Sequence, residues 1–253
     1  MRFSLLHRMR LLMTAAIVAV AGGSVSARAQ NTVTVHSVIR RASEVGTGKK
    51  STPDLDESNV VVWLKPVAGT LATAVLDPAG SRKPQLVQHN KGFHPHLLVV
   101  PVGSTVDFPN RDPFFHNVFS LFDGKRFDLG LYEAGATNSV KFDRVGVSFL
   151  FCNIHPEMSA VVVAVDTPYF GSSDRAGNIS IPNVPEGKYE LHVWYERSLP
   201  EDLKSLVRTV TIADSSKELL TVAVPENPSF SSAHKNKYGQ DYPPPSTPAY
   251  SKP

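Results

Sequence analysis

The stretch VSFLFCNIHPEMSAVVVAV, residues 147–165, decides the fold. VSFLFC is apolar on both faces of an extended chain apart from Ser148, and SAVVVAV is a second apolar run of strand length. Two neighbouring buried strands are therefore expected, the first of them central in a sheet. Cys152 closes the first strand, and CNIHPEM is the connection to the second. Pro156 keeps that connection from running on as helix or as ladder. A loop this short can turn the Cys152 sulfur, the His155 imidazole and the Met158 thioether toward one point.

Outward from this hairpin the chain reads as short strands divided by turns, with little helical periodicity. TVTVHSVIR (32–40) alternates, NVVVWLK (59–65) is a strand-length apolar run, and LLVVP and STVDFP flank the turn at Val102-Gly103. NISIP, KYELHVWYE, LVRTVTI and LLTVAV follow the hairpin. Such a pattern describes β-sandwiches and an all-β fold class. Asp174 to Gly177 and Pro185-Glu186-Gly187 are turns by composition. In KYELHVWYE one face holds Tyr189, Leu191, Val193 and Tyr195 and is expected to pack, while Lys188, Glu190, His192 and Trp194 are expected to meet solvent. SLPEDLKSL (198–206) is the candidate short helix. From Glu226 to the end the chain is rich in Pro, Ser and Lys, and residues 226–253 are expected to be disordered because they cannot bury enough apolar surface to offset the ordering entropy.

The first 29 residues read as an export signal. MRFSLLHRMR carries three arginines and no acid, Leu11 to Ala21 is apolar except Thr14, and Ala27-Arg28-Ala29 has the small-x-small pattern of a cleavage site. Cleavage would start the mature chain at Gln30 and leave no membrane span. It would also change 26 basic against 23 acidic side chains to 22 against 23, because Arg2, Arg8, Arg10 and Arg28 leave with the signal. A nearly neutral mature chain has no electrostatic footprint for nucleic acid. The expected location is outside the cytoplasm, in a periplasm.

In an oxidising compartment a structural cysteine normally has a partner, and this chain has 1 cysteine. Cys152 is then a buried thiol, half of an intermolecular bridge, or a metal thiolate. His155 and Met158 at its +3 and +6 positions favour the last, and FFHNVF supplies a further donor, His116, from another strand. Two histidines and a thiolate with a weaker thioether suit copper in both of its common oxidation states. His94 and His96 also alternate on a strand, but Pro95 lies between them and no carboxylate or cysteine stands near, so they are read as surface or supporting residues. His36, His89, His192 and His234 are read as solvated, and Phe115 as core. No Ser-His-Asp order, phosphate-cradling glycine loop or paired-carboxylate spacing stands out, so no catalytic residue is assigned.

On these residues the chain resembles the cupredoxins, and its C-x-x-H-x-x-M loop most resembles the amicyanin branch. The resemblance spans about residues 85–165: FHPHLLVVPVGSTVDFPN, HNVFS and SVKFDRVGVSFLFCNIHPEMSAVVVAV. It implies a Greek-key β-sandwich, one type 1 copper with His116, Cys152 and His155 as equatorial ligands and Met158 as the axial one, and Asn117 as a supporting residue beside them. It further implies an electron carrier serving redox proteins of dehydrogenase or cytochrome class, with His155 as the point of exchange. A copper carrier or sensor, or a metal-free adhesion or glycan-binding module, are the alternatives. Two residues depart from the pattern: Ile154 stands where proline is frequent, and Glu157 where an apolar residue is usual. SDRAGNISIPNVPEGKYELHVWYE separately resembles the carboxypeptidase-regulatory-like, or transthyretin-like, sandwich. Residues 32–80 and 166–225 would together form that second sandwich, with the cupredoxin inserted in it.

Overall fold

The structure, a computed structural model, describes residues 30–41, 56–67, 83–121, 123–213 and 220–243. The expected export signal, residues 68–80 of the expected second sandwich and residues 244–253 lie outside the described residues. The chain is nearly all β, and its one described helix, α1 (Pro200–Ser205), falls on the expected segment with Pro200 in its first turn. Among the described residues no helix is long and apolar enough to cross a membrane.

The opening stretch forms β10 (Gly146–Phe151) and β11 (Ser159–Val165), paired antiparallel with Phe149 opposite Val161 and Phe151 opposite Ser159. β5 (Leu97–Pro101) lies parallel to β11 on its far side. β7 (His116–Ser120) and β8 (Phe127–Tyr132) complete a five-stranded sheet in the order β5-β11-β10-β7-β8. β10 is thus interior, as apolar residues on both faces require. Against one face lie the hairpin of β3 (Val87–His89) and β4 (Gly92–His94) and the pair of β6 (Thr105–Pro109) and β9 (Thr137–Lys141). Leu86, Phe108, Val118, Phe142, Leu150 and Val162 are fully buried between these layers.

A second core joins segments from both ends of the described chain. β1 (Gln30–Arg40) pairs antiparallel with β13 (Asn178–Pro185) and parallel with β16 (Leu220–Pro225). Facing them, β2 (Val61–Pro66) sits between β12 (Phe170–Ser172) and β14 (Gly187–Trp194), with β15 (Arg208–Ile212) outermost. Val35, Leu64, Ile181, Tyr189, Leu191 and Val222 are buried between the two sheets. At the expected turn, Gly177 has φ +80°, and a Cβ there would meet the Ser37 carbonyl oxygen at 2.2 Å, so side chain and backbone both demand glycine.

The two bodies share a third apolar layer. Trp63 and Trp194, on the outer face of β2 and β14, pack with Leu97, Val161, Val163 and Phe149 of the five-stranded sheet. The reading of this face of β14 as solvent-facing holds at Lys188 and Glu190, which are exposed, and is corrected at Trp194: alternation separates two faces but does not say whether water or another sheet covers the second. His192 is half-buried and stacks on Trp63, with ring centroids 5.2 Å apart and planes at 9°.

At the rim of this layer His96 Nε2 lies 2.6 Å from Glu196 Oε2, and its Nδ1 lies 3.2 Å from the Ser159 carbonyl. Both partners are acceptors, so the imidazolium satisfies both. The hydrogen bond to Glu196, against the opposing effect of burial, raises His96 above its ordinary value of 6.5. A raised folded-state value means that this contribution to stability is complete below pH 6.5 and is lost as pH rises through the folded value. Urea titrations at stepped pH are expected to show a loss of stability across that window in the native protein and a flatter profile in His96→Gln.

Candidate metal centre

Cys152 leaves the end of β10, and the seven-residue loop to β11 is closed by its own backbone. Cys152 N–H donates to Met158 O at 3.3 Å, and Met158 N–H donates to His155 O at 3.1 Å. His116 opens β7, the strand beside β10, so the sheet itself carries a residue 36 positions earlier to the same rim. The Nδ1 atoms of His116 and His155 lie 3.1 Å apart, and the Cys152 sulfur is 3.9 Å from the first and 3.6 Å from the second. Among the described residues no other group of three His, Cys, Asp or Glu side chains converges in this way.

This donor set fits a first-row transition ion. With metal–nitrogen bonds of about 2.0–2.1 Å and a metal–thiolate bond of about 2.3 Å, a trigonal array needs nitrogens about 3.6 Å apart and sulfur about 3.8 Å from each. The observed spacings need shifts of only a few tenths of an ångström. Burial pushes the Cys152 thiol upward, and burial followed by the nearby His116 pulls His155 downward. Left alone, these are a thiol and a neutral imidazole; a cation held by His116, Cys152 and His155 would supply the charge that ionises the thiol.

His116, Cys152 and Met158 are each 0% exposed, while His155 is half-buried. Met158 is packed in the same core as Cys152. Asn117 is buried, its Oδ1 accepts Asn153 N–H at 3.3 Å, and its Nδ2 donates to Asp128 Oδ1 and Gly130 O at 2.8 and 2.9 Å. One amide thus ties the loop after Cys152 to β7 and β8. His155 borders an open groove of about 610 Å³ lined by Lys91, Pro113, Phe114, Phe115 and Ile154. Phe115 is 55% exposed there, which corrects its reading as core; Phe114 is the half-buried ring, 5.2 Å from His116. His94 remains at the surface against the His89 carbonyl.

Several contacts were not legible in the sequence. Asp112, 3% exposed, accepts His116 Nε2–H at 2.7 Å. Its only signal was an acid four residues ahead of the histidine. The others belong to the described part of the tail, residues 226–243. Lys237 N–H donates to Asn153 Oδ1 at 3.0 Å while its Nζ pairs with Asp128 at 2.7 Å. His234 stacks on Phe151 at 4.1 Å, and Tyr242 donates its hydroxyl to the Cys152 carbonyl at 2.7 Å. Composition measured how little core the tail could form alone; it was blind to partners already fixed on the sheet rim.

No family model and no curated protein matches the chain. Solved structures do. A purple cupredoxin from Nitrosopumilus maritimus is 26% identical over 32% of this chain and 99% of that chain, with a TM-score of 0.30. A Cu(I) amicyanin variant is 23% identical over 32% of this chain and 80% of that one, with a TM-score of 0.30. A copper-containing nitrite reductase from Thermus scotoductus SA-01 is 22% identical over 40% of this chain but 25% of its own, with a TM-score of 0.32. The site-bearing part of the chain is a β-sandwich with a His-Cys-His cluster at its rim.

Burial, and then the neighbouring Cys152, push Tyr242 up to about 12, so its hydroxyl remains a donor at ordinary pH. Tyr242→Phe removes the bond to the Cys152 carbonyl and the 3.2 Å hydrogen bond between the same hydroxyl and His234 Nδ1, and is expected to cost about 1–3 kcal/mol, read as a lower urea midpoint at an unchanged slope.

Proposed function

We propose that the chain is an exported electron carrier that binds one type 1 copper through His116, Cys152, His155 and Met158. The observation that carries this reading is the convergence of one buried thiolate donor and two imidazole Nδ1 atoms on a single point of a rigid sheet rim. Bound copper would supply the one-electron chemistry. The residues' own part is to hold softer sulfur and borderline nitrogen in an arrangement that suits both oxidation states, so that little has to move between them.

His155 is the half-buried member of the set, with its ring beside the apolar groove. Phe115 at 55% and Ile154 at 43% exposure give that groove an apolar rim of the kind used in brief redox encounters. A redox protein of dehydrogenase or cytochrome class docking there would meet the imidazole edge. Glu157 and Lys91 place charges of both signs near the groove, which favours a partner with a mixed rather than a uniformly charged face. Residues 32–80 and 166–225 would form the transthyretin-like sandwich into which the cupredoxin is inserted; the pairing of β1 with β13 and of β2 with β14 supports it. That sandwich would attach or present the carrier and do no chemistry.

The same groove also favours a second reading, a copper carrier, because an acceptor could reach the metal through His155. A carrier yields copper to a chelating acceptor quickly, whereas an electron shuttle retains it and exchanges electrons quickly.

Adding Cu(II) to the purified mature protein is expected to give an intense visible band that ascorbate bleaches. Cys152→Ser is expected to remove the band while leaving the β-rich far-ultraviolet spectrum intact. Met158→Leu is expected to keep the colour and raise the potential, because the weak axial donor helps set it. A colourless oxidised copper complex of the intact protein would refute the type 1 assignment.

A further inference from the structure

Asp112 is the buried charge in the site that the copper reading leaves unused. Its carboxylate, 3% exposed, is held from several sides. Asn90 N–H donates to Oδ1 at 2.7 Å and Lys91 N–H to Oδ2 at 2.9 Å. These two residues have φ of +52° and +54°, and successive left-handed residues turn their amide hydrogens into one concave seat for an anion. His89 Nδ1 stands 3.6 Å from Oδ1. From the other direction Asn110 Oδ1 accepts Asp112 N–H at 3.0 Å, and Asn110 Nδ2 donates to Phe114 O at 2.8 Å, so the whole Asn110–Phe114 loop is braced.

The consequence falls on His116. An ionised carboxylate only accepts hydrogen bonds, so the ring nitrogen 2.7 Å from Oδ2 must carry the hydrogen. That nitrogen is Nε2, which leaves the lone pair on Nδ1, the atom facing Cys152 and His155. The opposite tautomer would aim an N–H at the centre of the cluster and repel a cation. A backbone carbonyl could also fix the tautomer, but a carboxylate brings a full negative charge to a ring that water does not reach. Such a charge makes the imidazole a stronger donor and favours the more highly charged metal state.

We infer that Asp112 is a positioning residue: seated on the Asn90 and Lys91 amides, it sets the tautomer of His116 and, through that ring, lowers the reduction potential of the centre. The second half rests on the copper reading; the first does not.

Two measurements test it. In the metal-free native protein, long-range nitrogen-15 NMR of the histidine rings is expected to show His116 as the Nε2–H tautomer, its hydrogen shielded from exchange. An Nδ1–H tautomer overturns the proposal without any variant having to fold. In copper-loaded Asp112→Asn, Cu(II) affinity is expected to fall about 10–100-fold. Cu(I) affinity is expected to fall by at least tenfold less, which raises the potential by ~59 mV or more for this one-electron couple. A purely structural role would lower the unfolding midpoint and leave the ratio of the two affinities within twofold, and that result also overturns it. A native protein with the Nε2–H tautomer but a colourless copper complex upholds the positioning of His116 and removes the copper reading instead.

Discussion

The antiparallel ladder between β10 and β11 is the constraint on which the site depends. Its last rung sets Phe151 opposite Ser159, and the loop beyond is pinned at its neck by the bond from Cys152 N–H to Met158 O. The sheet therefore decides where the thiol stands before any metal arrives. With β7 hydrogen-bonded beside β10, His116 starts its strand at the same rim, and the Asn117 amide locks the loop to both neighbouring strands. A donor cluster held by ladder hydrogen bonds has little freedom to reorganise.

Around this rim the molecule commits polar groups to fixed tasks. Asp112 and Asp128 are both carboxylates held below their ordinary range. For each, burial works in the raising direction and is the largest single influence, but hydrogen bonds outweigh it: from Lys91, His116 and Asn90 in the first case, and from Lys237, Gly130 and Asn117 in the second. Each organises a different segment, the first the loop that carries His116 and the second the tail segment that caps Cys152. The donor cluster is thus flanked by two anchored anions and open toward the groove beside His155.

Layering gives the site its rigidity. The five-stranded sheet is covered on one face by its own sandwich partner and on the other by Trp63 and Trp194 from the second body. β11 consequently has no solvent-facing side, in keeping with the unbroken apolar run SAVVVAV. The His96–Glu196 pair closes the edge of that contact.

How much of this could be read from the chain follows from the range over which each signal acts. Patterns of two to seven residues determined the hairpin, the Pro156 break, the helix at Pro200 and the glycine turn at Gly177, because strand alternation, fixed φ and glycine's freedom are local properties. The spacing of Cys152, His155 and Met158 is local as well, and it favoured a metal thiolate among the three roles open to a lone cysteine. His116 was named from its own segment, and strand pairing carries it to the rim; only the tertiary structure turned Asp112 back onto that ring, exposed Phe115, and covered Trp194 and His192 with neighbouring aromatic and apolar side chains. It also gave the described part of the tail partners that composition does not reveal. These are contacts between distant segments, and their energies depend on surfaces that do not exist until the sheets have formed.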